Sequence, residues 1–374
     1  MLYRRASKIL ALLLCALPLL GCWDSTDIQD KNITTAVITD FDPDTGLYHF
    51  YVEIANISAS ANSNGKKVQN EFTVMHAAGT SFAEAKFDLD RQADNPIYLG
   101  ATRVVFLTTR FAQCGIEEYI NRIRGTQEYR KAVQLVTTPS TPEEIFNGES
   151  ENNASTGFAV EQDVMHLSND GQALVTTVGD LLQALAVKKA GFVVPQVIFE
   201  AGDVARNGYC VFKSGRMVGH LDGENSKGLV YLLNPDAKFI YEVEYNSAKI
   251  TVEVKRKSLK VTPEWDGDKA RFKVDLTVQA SILYRSEDFP LTADLFDRFH
   301  ARLNGLLADD IRKVIEAAQV TYQNDFLEFY KYFRARYPDA FDAMDWQDKF
   351  HQADIDLVIA CSMGPYGLND MQIP

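Results

Sequence analysis

Side chains capable of chemistry are present in this chain, but few stand at spacings that would let them act together. The six histidines, at positions 49, 76, 166, 220, 300 and 351, are scattered, and no pair has metal-ligand spacing on one expected helix. An imidazole without a supporting carboxylate, thiol or second ring is a poor base or ligand. Each is therefore read as structural. Glu117-Glu118, Glu143-Glu144 and Asp309-Asp310 are adjacent carboxylates, but neighbours on a helix do not share a face. They are read as solvated helix surface. No G-x-S-x-G, HExxH or CxxC occurs, and Gly215 to Gly219 lacks the pattern of a phosphate loop. Of five cysteines, Cys114, Cys210 and Cys361 are widely spaced and odd in number once Cys15 and Cys22 are set apart. They do not make a disulfide framework and are expected as buried free thiols. Nothing here forms a catalytic, metal or cofactor constellation. What remains is Cys22, which stands out by context.

Arg4, Arg5 and Lys8 precede an almost wholly apolar run, Ile9 to Leu20, and Leu19-Leu20-Gly21-Cys22 closes the segment. A charged start, a short apolar stretch and a small residue before the cut describe an export signal. The run is about a dozen residues, against roughly 20 for a membrane-spanning helix. Its ending resembles a bacterial lipobox, in which the cysteine thiol takes a diacylglyceryl group and cleavage falls just before it. The alternative, an ordinary secretory signal that happens to hold a cysteine, lacks its A-x-A-like cleavage site. Residues 1–21 are thus expected to be a lipoprotein signal, with Cys22 as the lipidated residue and first residue of the mature chain.

The elements behind it are those of a multi-domain α/β (α+β) protein with mixed sheets. Ile33 to Asp40 and Tyr48 to Ile57 read as strands around the turn Phe41 to Gly46. Helical spacing is expected over Ala78 to Asp90, Ile116 to Arg124 and Thr177 to Val187, with strands at Thr102 to Thr108 and Ala132 to Thr137. Ser58 to Lys67 and Gly148 to Asn153 are polar loops. A boundary at Glu200 to Asn207 divides an N-terminal α/β domain, 22–205, from a C-terminal α+β region, 206–374, for which two subdomains remain an option. In the latter, Tyr209 to Lys213 and Arg216 to Leu221 flank Ser214-Gly215 as a hairpin. Phe272, Val274, Leu276, Val278, Ala280 and Ile282 alternate as in a half-buried antiparallel strand, reached through the turn Trp265 to Asp268. From Leu291 the period lengthens. Leu295, Phe299, Leu303, Leu306, Ile311, Val314 and Ala318, then Tyr322, Phe326, Phe329, Phe333 and Tyr337, predict one long amphipathic helix packed on the sheet, with a kink at Asn304-Gly305. Ile355 to Ala360 is a last strand.

At 46% hydrophobic and 24% charged residues, the 374-residue chain has globular composition. Loss of Arg4, Arg5 and Lys8 with the signal takes the formal charge from −13 to −16. That balance argues against nucleic acid or an anionic surface as the main partner.

Several stretches together resemble the Ger(x)C family, the C subunits of spore germinant receptors. Gly21-Cys22-Trp23-Asp24, with Asp27-Ile28 and the strand that follows, is similar to its mature start. Ile97 to Phe106 (IYLGATRVVF) resembles its "hLGHLKVhhh" segment, where h is apolar. Gly208 to Lys213, Met217 to Leu221 and Lys227 to Leu232 resemble its "GLAVFK…LVGWL…RGLLWL" run. Ala318-Gln319 with Tyr322, Asp325 and Phe326, then Phe333 to Pro338, resembles its "AQ..Y..DhhgF…hP" helix. The order is preserved over nearly the whole chain. Ala101-Thr102, Tyr209-Cys210, His220 and the tail from Cys361 to Pro365 depart from the pattern. The resemblance implies a non-enzymatic subunit with three α/β domains, lipid-anchored through Cys22 on the outer face of the spore inner membrane. Its implied companions are an integral A subunit and a transporter-like B subunit. The competing readings are a solute-binding lipoprotein feeding a transporter, which calls for two similar lobes, and a secreted hydrolase, which has only the compartment behind it.

Overall fold

The computed structural model describes residues 30–56, 72–126, 128–146, 155–187, 190–200, 203–245, 248–286 and 293–364. Cys22, the signal expected over residues 1–21 and the polar stretches expected at 58–67 and 148–153 lie outside them.

Strand β1 (Asn32–Asp42) forms the middle of the first sheet because Thr34 to Asp40 are all buried, which requires cover on both faces. The Asp42 carboxylate closes the turn that follows, accepting from the Asp44 N–H at 3.0 Å and the Thr45 hydroxyl at 2.9 Å. Strand β2 (Leu47–Ala55) then returns antiparallel, and β3 (Phe72–Gly79) pairs with it. Helix α1 (Phe82–Gln92) is capped at Ser81. It leads through β4 (Ile97–Tyr98) to β5 (Val104–Thr108), which lies parallel to β1. Helices α2 (Thr109–Cys114) and α3 (Glu117–Thr126) cross over to β6 (Gln134–Thr138), parallel to β5. After α4 (Pro142–Phe146), α5 (Thr156–Asn169) and α6 (Val178–Val187), strand β7 (Gly191–Glu200) joins β6 through Thr137 and Gln196. Strands β8 (Asp203–Lys213) and β9 (Arg216–Leu221) complete the order β3-β2-β1-β5-β6-β7-β8-β9, with β4 on the edge of β1. One face packs Phe50, Phe82, Phe111 and Tyr119; the other packs Ile38, Phe106 and Val136 under Val160 and Val164 of α5.

The second sheet follows helix α7 (Lys227–Leu233). Strands β10 (Lys238–Tyr245), β11 (Ala248–Trp265) and β12 (Ala270–Arg285) are antiparallel, and helix α8 (Ala293–Glu316) covers their apolar face. Helices α9 (Phe329–Arg336), α10 (Pro338–Ala343) and α11 (Trp346–His351) return the chain to β13 (Asp354–Met363), which pairs parallel with β12. The expected antiparallel sheet is therefore mixed at this edge. The alternation in β12 is as read: Phe272, Val274, Leu276, Val278 and Ala280 are buried, with half-buried or exposed residues between them.

Two expectations for the helix are corrected. It runs unbroken through Asn304 and Gly305, where burial of Leu303, Leu307 and Ile311 outweighs the cost of one glycine. The break comes later: a π-turn at Ala317–Thr321 ends it, so Tyr322 and Phe326 lie in a connecting loop before α9. Residue 205 falls inside β8, whose two faces enter different cores. Cys210 and Phe212 pack with the first sheet, whereas Tyr209 and Val211 pack with the second.

Candidate functional site

Two of the stretches that carry the family resemblance, Gly208 to Leu221 and Ala318 to Phe326, are far apart in sequence and meet at the seam between the sheets. Beyond the π-turn, Tyr322 sets its ring beside Gly219, where a Cβ would stand 2.0 Å from the ring; only glycine leaves that space. The Tyr322 hydroxyl donates to the His220 carbonyl at 3.0 Å. Asn324 Nδ2 donates to the Phe212 carbonyl at 2.9 Å, and the Gly191 N–H donates to the Asp325 carbonyl at 3.0 Å. One short segment thus grips β7, β8 and β9. Gln319 Nε2 meanwhile donates to the carbonyls of Phe350 and Ala353, at 2.9 and 2.8 Å, fixing the approach to β13.

Asp325 is the pivot. Its side chain is wholly buried and accepts from the N–H groups of Phe329 at 3.1 Å and Tyr330 at 2.7 Å, and from Trp346 Nε1 at 2.8 Å. The two amides belong to the first turn of α9, where backbone donors have no partner within the helix. Burial pushes the Asp325 carboxyl up to about 6, against the pull of the Trp346 indole and those two amides. The group is closed to any solute, so its chemistry is structural: it joins α9 and α11 to the loop that holds the first sheet.

A second buried carboxylate does similar work within the N-terminal half. Glu53 on β2 accepts from the hydroxyls of Thr35 and Ser155 and from the N–H groups of Thr156 at 2.8 Å and Gly157 at 3.3 Å. A negative charge at a helix N-terminus is favourable, and this one docks α5 on the sheet. Replacing Glu53 with glutamine should destabilise the protein by about 2 kcal/mol, because an amide NH2 would face groups that all donate. Urea unfolding measures it, and a midpoint unchanged from wild type would contradict this role.

The structure brings together two of the dispersed histidines: His49 Nδ1 lies 3.0 Å from His76 Nε2, and Tyr51 stacks on His76. Among the described residues, no group of three histidine, cysteine or acidic side chains is placed to hold a metal. Only Cys210 of the three described thiols is fully buried, with its pKa pushed up to about 11 by burial; Cys114 and Cys361 are half-buried. One member of two acidic pairs is not free surface. Glu118 accepts from the Phe82 N–H at 3.3 Å, and Asp310 accepts from the Tyr241 hydroxyl at 2.8 Å. Sequence reasoning passed over Glu53, Asn324 and Trp346. An acidic residue within a strand of apolar neighbours was the available signal for the first. The lipidation candidate, Cys22, is eight positions before the first described residue, Asp30.

Comparison with known proteins covers both halves. Residues 24–198 match the family described as spore germination protein N-terminal domain, and residues 207–363 match spore germination B3/GerAC like, C-terminal. Spore germination protein B3 of Bacillus subtilis (strain 168) is 20% identical, over 97% of this chain and 99% of that protein. Spore germination protein KC of the same organism is 19% identical, over 92% and 91%. The crystal structure of the GerBC protein superposes with a TM-score of 0.54 at 16% identity, covering 88% of this chain and 97% of that one. The fold is shared.

Proposed function

The chain belongs to the Ger(x)C family of spore germination proteins, and we propose that it is the lipid-anchored C subunit of a nutrient germinant receptor. The observation that carries this reading is coverage: two family halves span 24–198 and 207–363, directly after Cys22 and the stretch 1–21 that reads as a lipoprotein signal. In this reading the body stands on the outer face of the spore inner membrane beside integral A and B subunits. It acts by binding and positioning rather than by catalysis. Tethering confines it near those partners and raises its effective concentration there without any new contact. The alternative solute-binding lipoprotein calls for two similar lobes. Here a sheet with parallel strands at its centre is followed by a four-stranded sheet under one long helix, so the halves differ in topology.

The test is genetic. Spores lacking this chain, in a strain stripped of related receptors, should form normally yet fail to germinate in response to nutrients, and the chain should co-purify with two multi-span membrane proteins. Undiminished nutrient-triggered germination would overturn the proposal.

A further inference from the structure

We infer that the amino end of the parallel strands, at the entries to β1, β5 and β6, is the face laid against an anionic lipid surface. The inference rests on the lipid-anchor reading and adds an orientation to it. The first argument is reach. Eight residue steps separate Cys22 from Asp30, so the tether spans at most about 28 Å. The opposite end of β1 is a further ten steps away, about 33 Å. The strand entry is therefore the part of the body held nearest the headgroups.

The second argument is composition. The formal charge of the whole chain is −13, so a featureless approach to an anionic surface would be repelled. At this end the balance is local and different. Arg124 closes α3, and Arg130 and Lys131 lead into β6; all three are exposed. Among the described residues, neither Arg124 nor Lys131 has an acidic partner within 4 Å. Of the nearby acids, Glu128 and Glu161 are taken by Arg122 and Arg103, and Asp180 accepts from the Thr177 N–H and hydroxyl, while Glu117 lines the same cavity as Arg124. Asp30 and Asp94 lie on the β1 side of this end, which assigns the basic contact to the β6 side.

Aromatic rings complete the surface. Tyr98 is 40% exposed with Lys31 Nζ 4.8 Å from its ring centre, and Phe158 is 36% exposed with the Arg103 guanidinium at 4.7 Å. Both belong to the strand-entry end. Tyr98 pairs level with Ile33 at the start of β1, and Phe158 is in the first turn of α5, docked beside Thr35. Rings with an apolar body beside a cation suit the headgroup level of a bilayer.

The experiment uses the full-length protein purified with its lipid, with Cys114 and Cys361 changed to serine. A fluorophore is placed either at Ala132→Cys, beside the cations, or at Thr45→Cys, in the turn at the opposite end of β1. The protein is put into phosphatidylglycerol vesicles carrying a headgroup-level spin-label quencher. Quenching is expected at 132 and not at 45. Arg124→Glu with Lys131→Glu should abolish most of it, as should high salt, while the protein still floats with the vesicles. Equal or stronger quenching at 45, or charge reversal without effect, would overturn the inference and leave the anchor intact. Failure of the unaltered protein to float would instead remove the anchor reading on which it rests.

Discussion

Replacing Cys22 with alanine is expected to move the protein from the membrane to the soluble fraction and to abolish its contribution to nutrient-triggered germination. The argument is one of anchoring free energy. Each buried methylene contributes about 0.8 kcal/mol, and a single myristoyl chain still gives only marginal binding, with an association constant of about 10⁴ M⁻¹. A diacylglyceryl cysteine carries two chains on one sulfur, which crosses from reversible to stable attachment. Among the described residues, no helix is long and apolar enough to cross a membrane. The basic end of the first sheet is too weak a substitute: a few cations, each contributing about 1 kcal/mol at an anionic surface, attract but do not hold. Fractionation with mass spectrometry of the N-terminus reads the result directly. Wild-type protein should begin at a lipid-modified Cys22, and the variant should carry no lipid and appear in the soluble fraction. A variant that stays membrane-bound and supports normal germination would remove the anchor from the mechanism.

What the sequence disclosed was what is local: the β12 alternation and the Ser214-Gly215 hairpin need only their own residues to be read. Strand β7 was missed because Pro195 interrupts its apolar run. The structure accommodates that proline at a register shift between Pro195 and Val197, where the ladder is already irregular. The stripe from Leu295 to Tyr337 keeps helical spacing throughout, so periodicity alone could not reveal that the helix stops at residue 316. Beyond the break, Asn324 bonds the Phe212 carbonyl on β8 and Asp325 accepts from the first amides of α9, contacts that no helical spacing discloses. Nor could spacing give the direction of β13. A parallel return depends on the whole path through α8 to α11, not on any feature of the strand. The buried carboxylates were illegible for the same reason: Glu53 and Ser155 meet across 102 residues.

Asp325 is where a single substitution should cost most. Changing it to alanine leaves the Trp346 indole and the first amides of α9 buried without an acceptor. At about 1–3 kcal/mol for each stranded donor, with partial relaxation, a loss of about 4 kcal/mol is expected. The loss should loosen the grip on β7 to β9 as well, since Asp325 lies beside Asn324 in the same segment. The pH dependence carries more information than the loss itself. Burial raises the folded carboxyl from an ordinary 3.8 to about 6. Between those values the folded protein keeps a proton that the unfolded chain releases. The associated stability is therefore fully present below pH 4 and is lost as pH rises through 6, a change of about 3 kcal/mol. Asp325→Asn removes that titration while keeping the shape. Urea midpoints for both proteins, followed from pH 4 to 7, should show wild type losing ground to the asparagine variant as pH rises. A gap that moves the other way would mean that the three donors outweigh burial and that the folded carboxyl lies below its ordinary value.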